Sequence, residues 1–178
     1  MMSIRAGIPI LGFVCLLACS GESQAGSKDK TGRGPSTGAA LDTGSARAAI
    51  ARLAAADTTV KWDSSSRVIG DVDCDGVADS AFIGRASTVV HVGLIRATAA
   101  SPEILSFGVG GAAQDAVCSD KAALVVESLD YDPKDAVGKV AGFKRSTGCK
   151  GLNLGDGECD RIHMFWNSNT HHLDWWRA

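Results

Sequence analysis

Gly70-Asp71-Val72-Asp73-Cys74-Asp75-Gly76-Val77-Ala78-Asp79 alternates carboxylates with other residues, turns on a glycine and closes on a fourth aspartate. Arg67-Val68-Ile69 before it and Ser80-Ala81-Phe82-Ile83 after it read as strands, so the unit is strand, loop, strand. As the chain curls, Asp71, Asp73 and Asp75 aim oxygens at one centre, and Gly76 permits the positive φ of a sharp turn. Val77 adds its backbone carbonyl and Asp79 a fourth carboxylate. An all-oxygen set suits a hard cation, calcium, and is poor for zinc or copper, which prefer nitrogen and sulfur. The competing reading is an acidic surface turn without metal, in which the four aspartates would repel one another.

The first six positions also match an EF-hand, but the twelfth, where a bidentate Glu is expected, is Phe82. Glycine-bounded flanks leave no room for an exiting helix. The pattern G-D-x-D-x-D-G-x-x-D between strands resembles the calcium loops of FG-GAP and integrin-like repeats. Several such repeats build a β-propeller in that family, which one copy in a chain of 178 residues cannot close. The resemblance therefore implies the local loop and its ion.

Residues 1–18 carry a basic start at Arg5 and an apolar core from Ala6 to Leu17, the layout of a secretory signal and too short to span a membrane. Leu16-Leu17-Ala18-Cys19 resembles the lipobox of bacterial lipoproteins, which implies that Cys19 is acylated and becomes the mature N-terminus. Ser20 in place of Asp implies the outer membrane in a Gram-negative cell. Residues 19–44 are Gly, Ser, Thr, Ala, Lys and Asp with little that is large and apolar, a tether reaching roughly 25 to 30 Å.

A domain is expected over residues 45–178. Ser45 caps a short helix to Asp57, with Ala46, Ala49, Ile50 and Leu53 on one stripe. Strands are predicted at Val60–Trp62, Arg67–Ile69, Asp79–Gly84, Val89–Arg96, Glu103–Phe107, Ala122–Leu129, Lys139–Lys144, Arg161–Trp166 and His171–Arg177. Short connections favour antiparallel pairing. The fold class is α+β, mainly antiparallel β, with one N-terminal helix packed on a small disulfide-bonded sheet or sandwich. Loss of Arg5 with the signal leaves 17 basic residues against 20 acidic, a net of −3, and no basic cluster exists to bind nucleic acid.

Cys15 leaves with the signal and Cys19 is taken by lipid, so Cys74, Cys118, Cys149 and Cys159 remain for two disulfides. Three connectivities are possible. Cys74 with Cys118 and Cys149 with Cys159 is favoured, the second closing a local loop. Near the C-terminus, Asp156, Glu158 and Asp160 gather around Gly157 in a hairpin turn or a second ion site. Arg161–Trp166 and His171–Arg177 then form an aromatic hairpin. A two-residue turn at Ser168 and Asn169 sends Ile162, Met164, Trp166, Leu173 and Trp175 to the core. It sets His163 opposite Asp174, Phe165 opposite His172 and Arg161 opposite Trp176. Phe165, His172 and Trp176 would then offer an exposed patch for a glycan or a protein partner.

The expected whole is a lipid-anchored cell-envelope protein with a calcium-stabilised binding or structural domain. Two alternatives stand beside it: an envelope hydrolase using carboxylates such as Asp156, Glu158 and Asp160, and an inhibitor of a host lytic enzyme. No nucleophile motif supports catalysis.

Overall fold

Helix α1 (Gly38–Ala56) lies on the outer face of a five-stranded sheet, and a four-stranded sheet packs on that sheet's other face. The computed structural model describes residues 38–110 and 113–178, with side chains from residue 44 onward. The expected signal segment, Cys19 and the first part of the expected tether lie outside these residues. The first sheet takes β1 (Lys61–Gly70), β2 (Asp79–Ala86), β3 (Val89–Ile95), β4 (Glu103–Val109) and β5 (Ala116–Val117) in chain order. The second takes β6 (Ala123–Leu129), β7 (Ser146–Gly155), β8 (Ile162–Asn167) and β9 (His172–Arg177), with the short α2 (Lys134–Val137) between β6 and β7. Every pairing is antiparallel except that of β4 with β5. The fold is thus mainly antiparallel β with one helix on a disulfide-bonded pair of sheets.

Strand periodicity explains the layers. Ile83, Val92 and Phe107 point from the first sheet toward Leu152, Ile162 and Met164 of the second, all at 2% exposure or less. Phe82 and Ile95 point the other way, into a second cluster with Ala49 and Leu53 of α1. Because both faces of β2 and β3 are covered, apolar residues stand side by side in Ala81-Phe82-Ile83 and Val89-Val90 instead of alternating with polar ones. The stripe Ala46, Ala49, Ile50 and Leu53 is the face that α1 buries, and Leu53 is wholly inaccessible. The helix begins before Ser45, taking in part of the stretch read as tether, because Ala39, Ala40 and Leu41 are helix formers.

Glycine makes the helix contact possible. Gly84 and Gly93 leave room on the outer face for the Trp62 ring to lie across the sheet. A Cβ at Gly93 would stand 2.5 Å from Leu53 Cδ2 and 2.8 Å from Trp62.

Three expectations are corrected. The strands expected at Val60–Trp62 and Arg67–Ile69 merge into one, β1, which starts at Lys61 and whose register shifts between Asp63 and Val68. Asp63 Oδ1 accepts from the Ser65 N–H and hydroxyl inside that irregularity. The strand expected at Lys139–Lys144 is a loop, and the strand lies at β7 instead. Glycines had hidden β7, yet Gly151 is required: a Cβ there would meet Leu129 Cδ2 at 2.7 Å and the Met164 carbonyl at 2.9 Å. The disulfides join Cys74 to Cys149 and Cys118 to Cys159, not Cys74 to Cys118 and Cys149 to Cys159. Once β7 is a strand, Cys149 sits within it beside the acidic loop, and the loop before β8 brings Cys159 to the end of β5.

Gly93→Ala should destabilise the domain by about 1 to 3 kcal/mol through overpacking against α1. Urea unfolding of the two proteins compares them directly, and equal midpoints would mean that α1 does not hold this position.

Candidate metal centre

β1 ends at Gly70 and β2 begins at Asp79, so the acidic loop is the hairpin connection between two paired strands. Its Val72 side chain is 1% exposed and belongs to the core between the sheets, which fixes the loop from inside. Gly76 takes φ +87°, as the turn requires, and Cys74 is also left-handed at φ +65°.

The carboxylates divide into distinct roles. Asp79, 1% exposed, accepts the Val72 N–H at 3.0 Å and the Asp73 N–H at 3.3 Å on Oδ2, and the Ala97 N–H at 3.0 Å on Oδ1. Asp71 Oδ2 accepts the Gly76 N–H at 3.1 Å, while its Oδ1 is buried and has no hydrogen-bond donor. Asp73 Oδ1 accepts the Asp75 N–H at 3.2 Å, and its Oδ2 lies 3.6 Å from Arg96 Nη1. Burial first, then the neighbouring Asp79 charge, pushes the Asp73 carboxyl above its ordinary value.

Asp71, Asp73 and Asp79 each place one oxygen within 4.8 Å of the others. Oxygens bound to one calcium at about 2.3 to 2.6 Å stand at most roughly 4.6 to 5.2 Å apart, so the trio has the right span. These three can hold a metal ion. Asp75 is not among them: its Oδ1 accepts the Val77 N–H at 2.8 Å and its Oδ2 the Thr98 hydroxyl at 2.7 Å. That Thr98 hydrogen bond, with the Val77 N–H, holds the exposed Asp75 carboxyl below its ordinary value. Val77 is itself exposed, and its N–H is committed to Asp75.

Arg96 was not foreseen. Its guanidinium lies 4.5 Å over the Trp166 ring and 3.9 Å from Glu103, which in turn lies 3.1 Å from His172 Nδ1. The signal was present in the β2–β3 hairpin, where Ser80 pairs with Ile95 and sets Asp79 opposite Arg96.

The other predicted residues do not gather into a site. Asp156 is a loop cap, accepting N–H groups of Ser119, Glu158 and Cys159 at 2.8, 2.9 and 3.0 Å. Partial burial would raise its carboxyl, but these donors outweigh that and hold it at about 2. Phe165, expected at the surface, is 1% exposed because Phe143 from the preceding loop packs on it with ring centroids 5.3 Å apart. Trp176 is partly covered and stacks on His163 at 4.1 Å and 6°. His172 alone of the three is exposed, so no aromatic patch forms.

The hairpin register explains those differences. Its loop runs over four residues, 168–171, with Asn167 Oδ1 accepting the Asn169 and Thr170 N–H groups and His171 at φ +56°. His163 therefore pairs with Trp176 and Phe165 with Asp174, a slip of two that preserves the faces and changes every partner. His163 Nδ1 meets Glu127 at 2.9 Å rather than Asp174. Tyr131 and Asn153 complete that network through 3.2 and 2.9 Å hydrogen bonds to Glu127.

Comparison with known proteins returned no similarity: no family pattern, curated sequence or solved structure matches this chain.

The Asp156 cap gives a pH signature. Its folded value of about 2 lies below the ordinary 3.8, so its stabilisation is complete above about pH 4 and is lost as pH falls through 2. The stability gap between wild type and Asp156→Asn should be constant from pH 7 to about pH 4 and should close toward pH 2. Urea unfolding across that range measures it; a gap independent of pH would remove the charge from the account.

Proposed function

We propose that this chain is a lipid-anchored cell-envelope protein whose folded domain is stabilised by one calcium ion held by Asp71, Asp73 and Asp79. The observations that carry the calcium reading are the buried Asp71 Oδ1, without a donor, and the gathering of one carboxylate oxygen each from Asp71, Asp73 and Asp79 within 4.8 Å. A buried carboxylate oxygen with no partner is costly, and a hard cation is the partner that an all-oxygen set accepts best. Arg96 supplies one positive charge against three carboxylates, which leaves an excess that a divalent ion neutralises. Backbone carbonyls and water complete the shell in place of Asp75.

The anchor rests on Leu16-Leu17-Ala18-Cys19, followed by Ser20, which favours the outer membrane of a Gram-negative cell. No described helix is long and apolar enough to cross a membrane. Acyl chains on Cys19 supply membrane attachment at about 0.8 kcal/mol per buried CH₂. Within the domain, burial of Phe165 and the stacking of Trp176 favour a structural role over the binding of a glycan or protein through that hairpin.

Calcium should bind in roughly the 10⁻⁴ to 10⁻³ M range of extracellular modules. At ten times its Kd it should stabilise the domain by about 1.4 kcal/mol. Asp71→Ala should abolish the calcium-induced rise in Tm and Asp156→Ala should leave it intact. A wild-type Tm indifferent to millimolar calcium would reduce the loop to an acidic turn.

The anchor is tested separately by intact mass. The mature chain should begin at an acylated Cys19, and Cys19→Ala should release it from membranes or block processing. An unmodified cysteine or a different start would overturn lipid attachment.

A further inference from the structure

The acidic loop is tied covalently to the second sheet at its tip. Cys74 sits between Asp73 and Asp75, is exposed, and is bonded to Cys149 of β7. Next to that bond the Lys150 N–H donates to the Asp71 carbonyl at 2.8 Å. The loop is therefore fastened at its base by the three backbone N–H groups on Asp79 and along β7 by the disulfide and its neighbouring hydrogen bond. Three carboxylates within 4.8 Å push against these fastenings whenever no cation neutralises them. Of the fastenings, the disulfide is the one that chemistry can open without unfolding the core.

We propose that the Cys74–Cys149 disulfide is a redox control on the metal site: oxidised, it keeps the carboxylates gathered around a divalent cation, and reduced, it lets the loop tip move away and weakens binding. This rests on the calcium reading above. Reduction is a thiol exchange with a dithiol. One thiolate of the reductant attacks a sulfur of the disulfide and forms a mixed disulfide, and the reductant's second thiol resolves it. The protein gains two electrons and two protons as the Cys74 and Cys149 thiols, and the reductant leaves as its own disulfide. Exposure of Cys74 gives the attacking thiolate access, whereas Cys118 and Cys159 are both partly buried. Linkage makes the control reciprocal: the factor by which the disulfide strengthens calcium binding is the factor by which calcium resists its reduction.

Calcium is titrated calorimetrically into three forms of the full chain: oxidised wild type, Cys74→Ser/Cys149→Ser, and Cys118→Ser/Cys159→Ser. The first double variant should bind roughly tenfold more weakly than wild type, within the usual range of coupling between sites, and the second should bind as wild type does. In parallel, oxidised wild type is equilibrated in dithiothreitol redox buffers with and without saturating calcium, and its thiols are alkylated and assigned by peptide mass. Calcium should shift the Cys74–Cys149 equilibrium toward the disulfide by the same factor and leave Cys118–Cys159 unmoved. The second measurement needs no cysteine variant, so it decides the matter even where a double variant fails to fold. Equal affinity with and without the disulfide, a Cys74–Cys149 equilibrium indifferent to calcium, or an equal shift of both disulfides overturns the redox control and leaves the calcium site standing. Absence of calcium binding by the oxidised wild type overturns both.

Discussion

The Asp79 carboxylate, 1% exposed, accepts backbone N–H groups from two separate segments, Val72 and Asp73 in the loop and Ala97 after β3. A buried carboxylate without such donors would cost several kcal/mol, so the donors and the burial require each other. Asp79 also opens β2, the strand that packs on β1 and β3 and contributes to both apolar clusters. One side chain therefore sets where the hairpin turns, how the loop lies and where the next connection passes. The gathered oxygens of Asp71 and Asp73 inherit their positions from that arrangement. Val72, driven into the core, adds an apolar anchor to the polar one.

Much of this was legible in the sequence because the signals were strong and local. The triplet Asp71, Asp73, Asp75 with Gly76 announced a turn with φ > 0, and the apolar residues of β2 and β3 announced strands. What spacing alone could not give was the division of labour. Asp75 fits the alternation as well as Asp73 does, yet its carboxylate finds a closer use in the Thr98 hydroxyl and the Val77 N–H. Thr98 lies beyond two strands, β2 and β3, and nothing near Asp75 in sequence reveals it. β7 was missed for the opposite reason: its glycines lower strand propensity, and only the proximity of Leu129 and Met164 makes Gly151 necessary.

The outer face of the second sheet was misread because a loop with no regular structure covers it. Residues 138–145 place Phe143 on Phe165 and against Tyr131, and the Gly142 carbonyl accepts both the N–H and the hydroxyl of Ser168. Gly142 has to be glycine at φ +74°, since any Cβ would collide with the Asn167 amide. Alternation correctly assigned Phe165 to the face away from the sheet interface. It could not say that a second apolar layer waits there. Tyr131 joins that layer to a polar network with Glu127 and His163, and Trp176 packs on the Tyr131 and His163 rings.

The two disulfides interleave along the chain: Cys118 falls between Cys74 and Cys149, and Cys149 falls between Cys118 and Cys159. Bridges pairing Cys74 with Cys118 and Cys149 with Cys159 would have left residues 119–148 crossed by no bond, so one proteolytic cut there would part the protein. With interleaving, every peptide bond from Cys74 to Cys159 is spanned by at least one bridge. A protease that nicks the chain at residues 130–145, or between Gly155 and Cys159, leaves a molecule still joined on both sides of the cut. Shedding a fragment from that interval takes a second cut or a reductant.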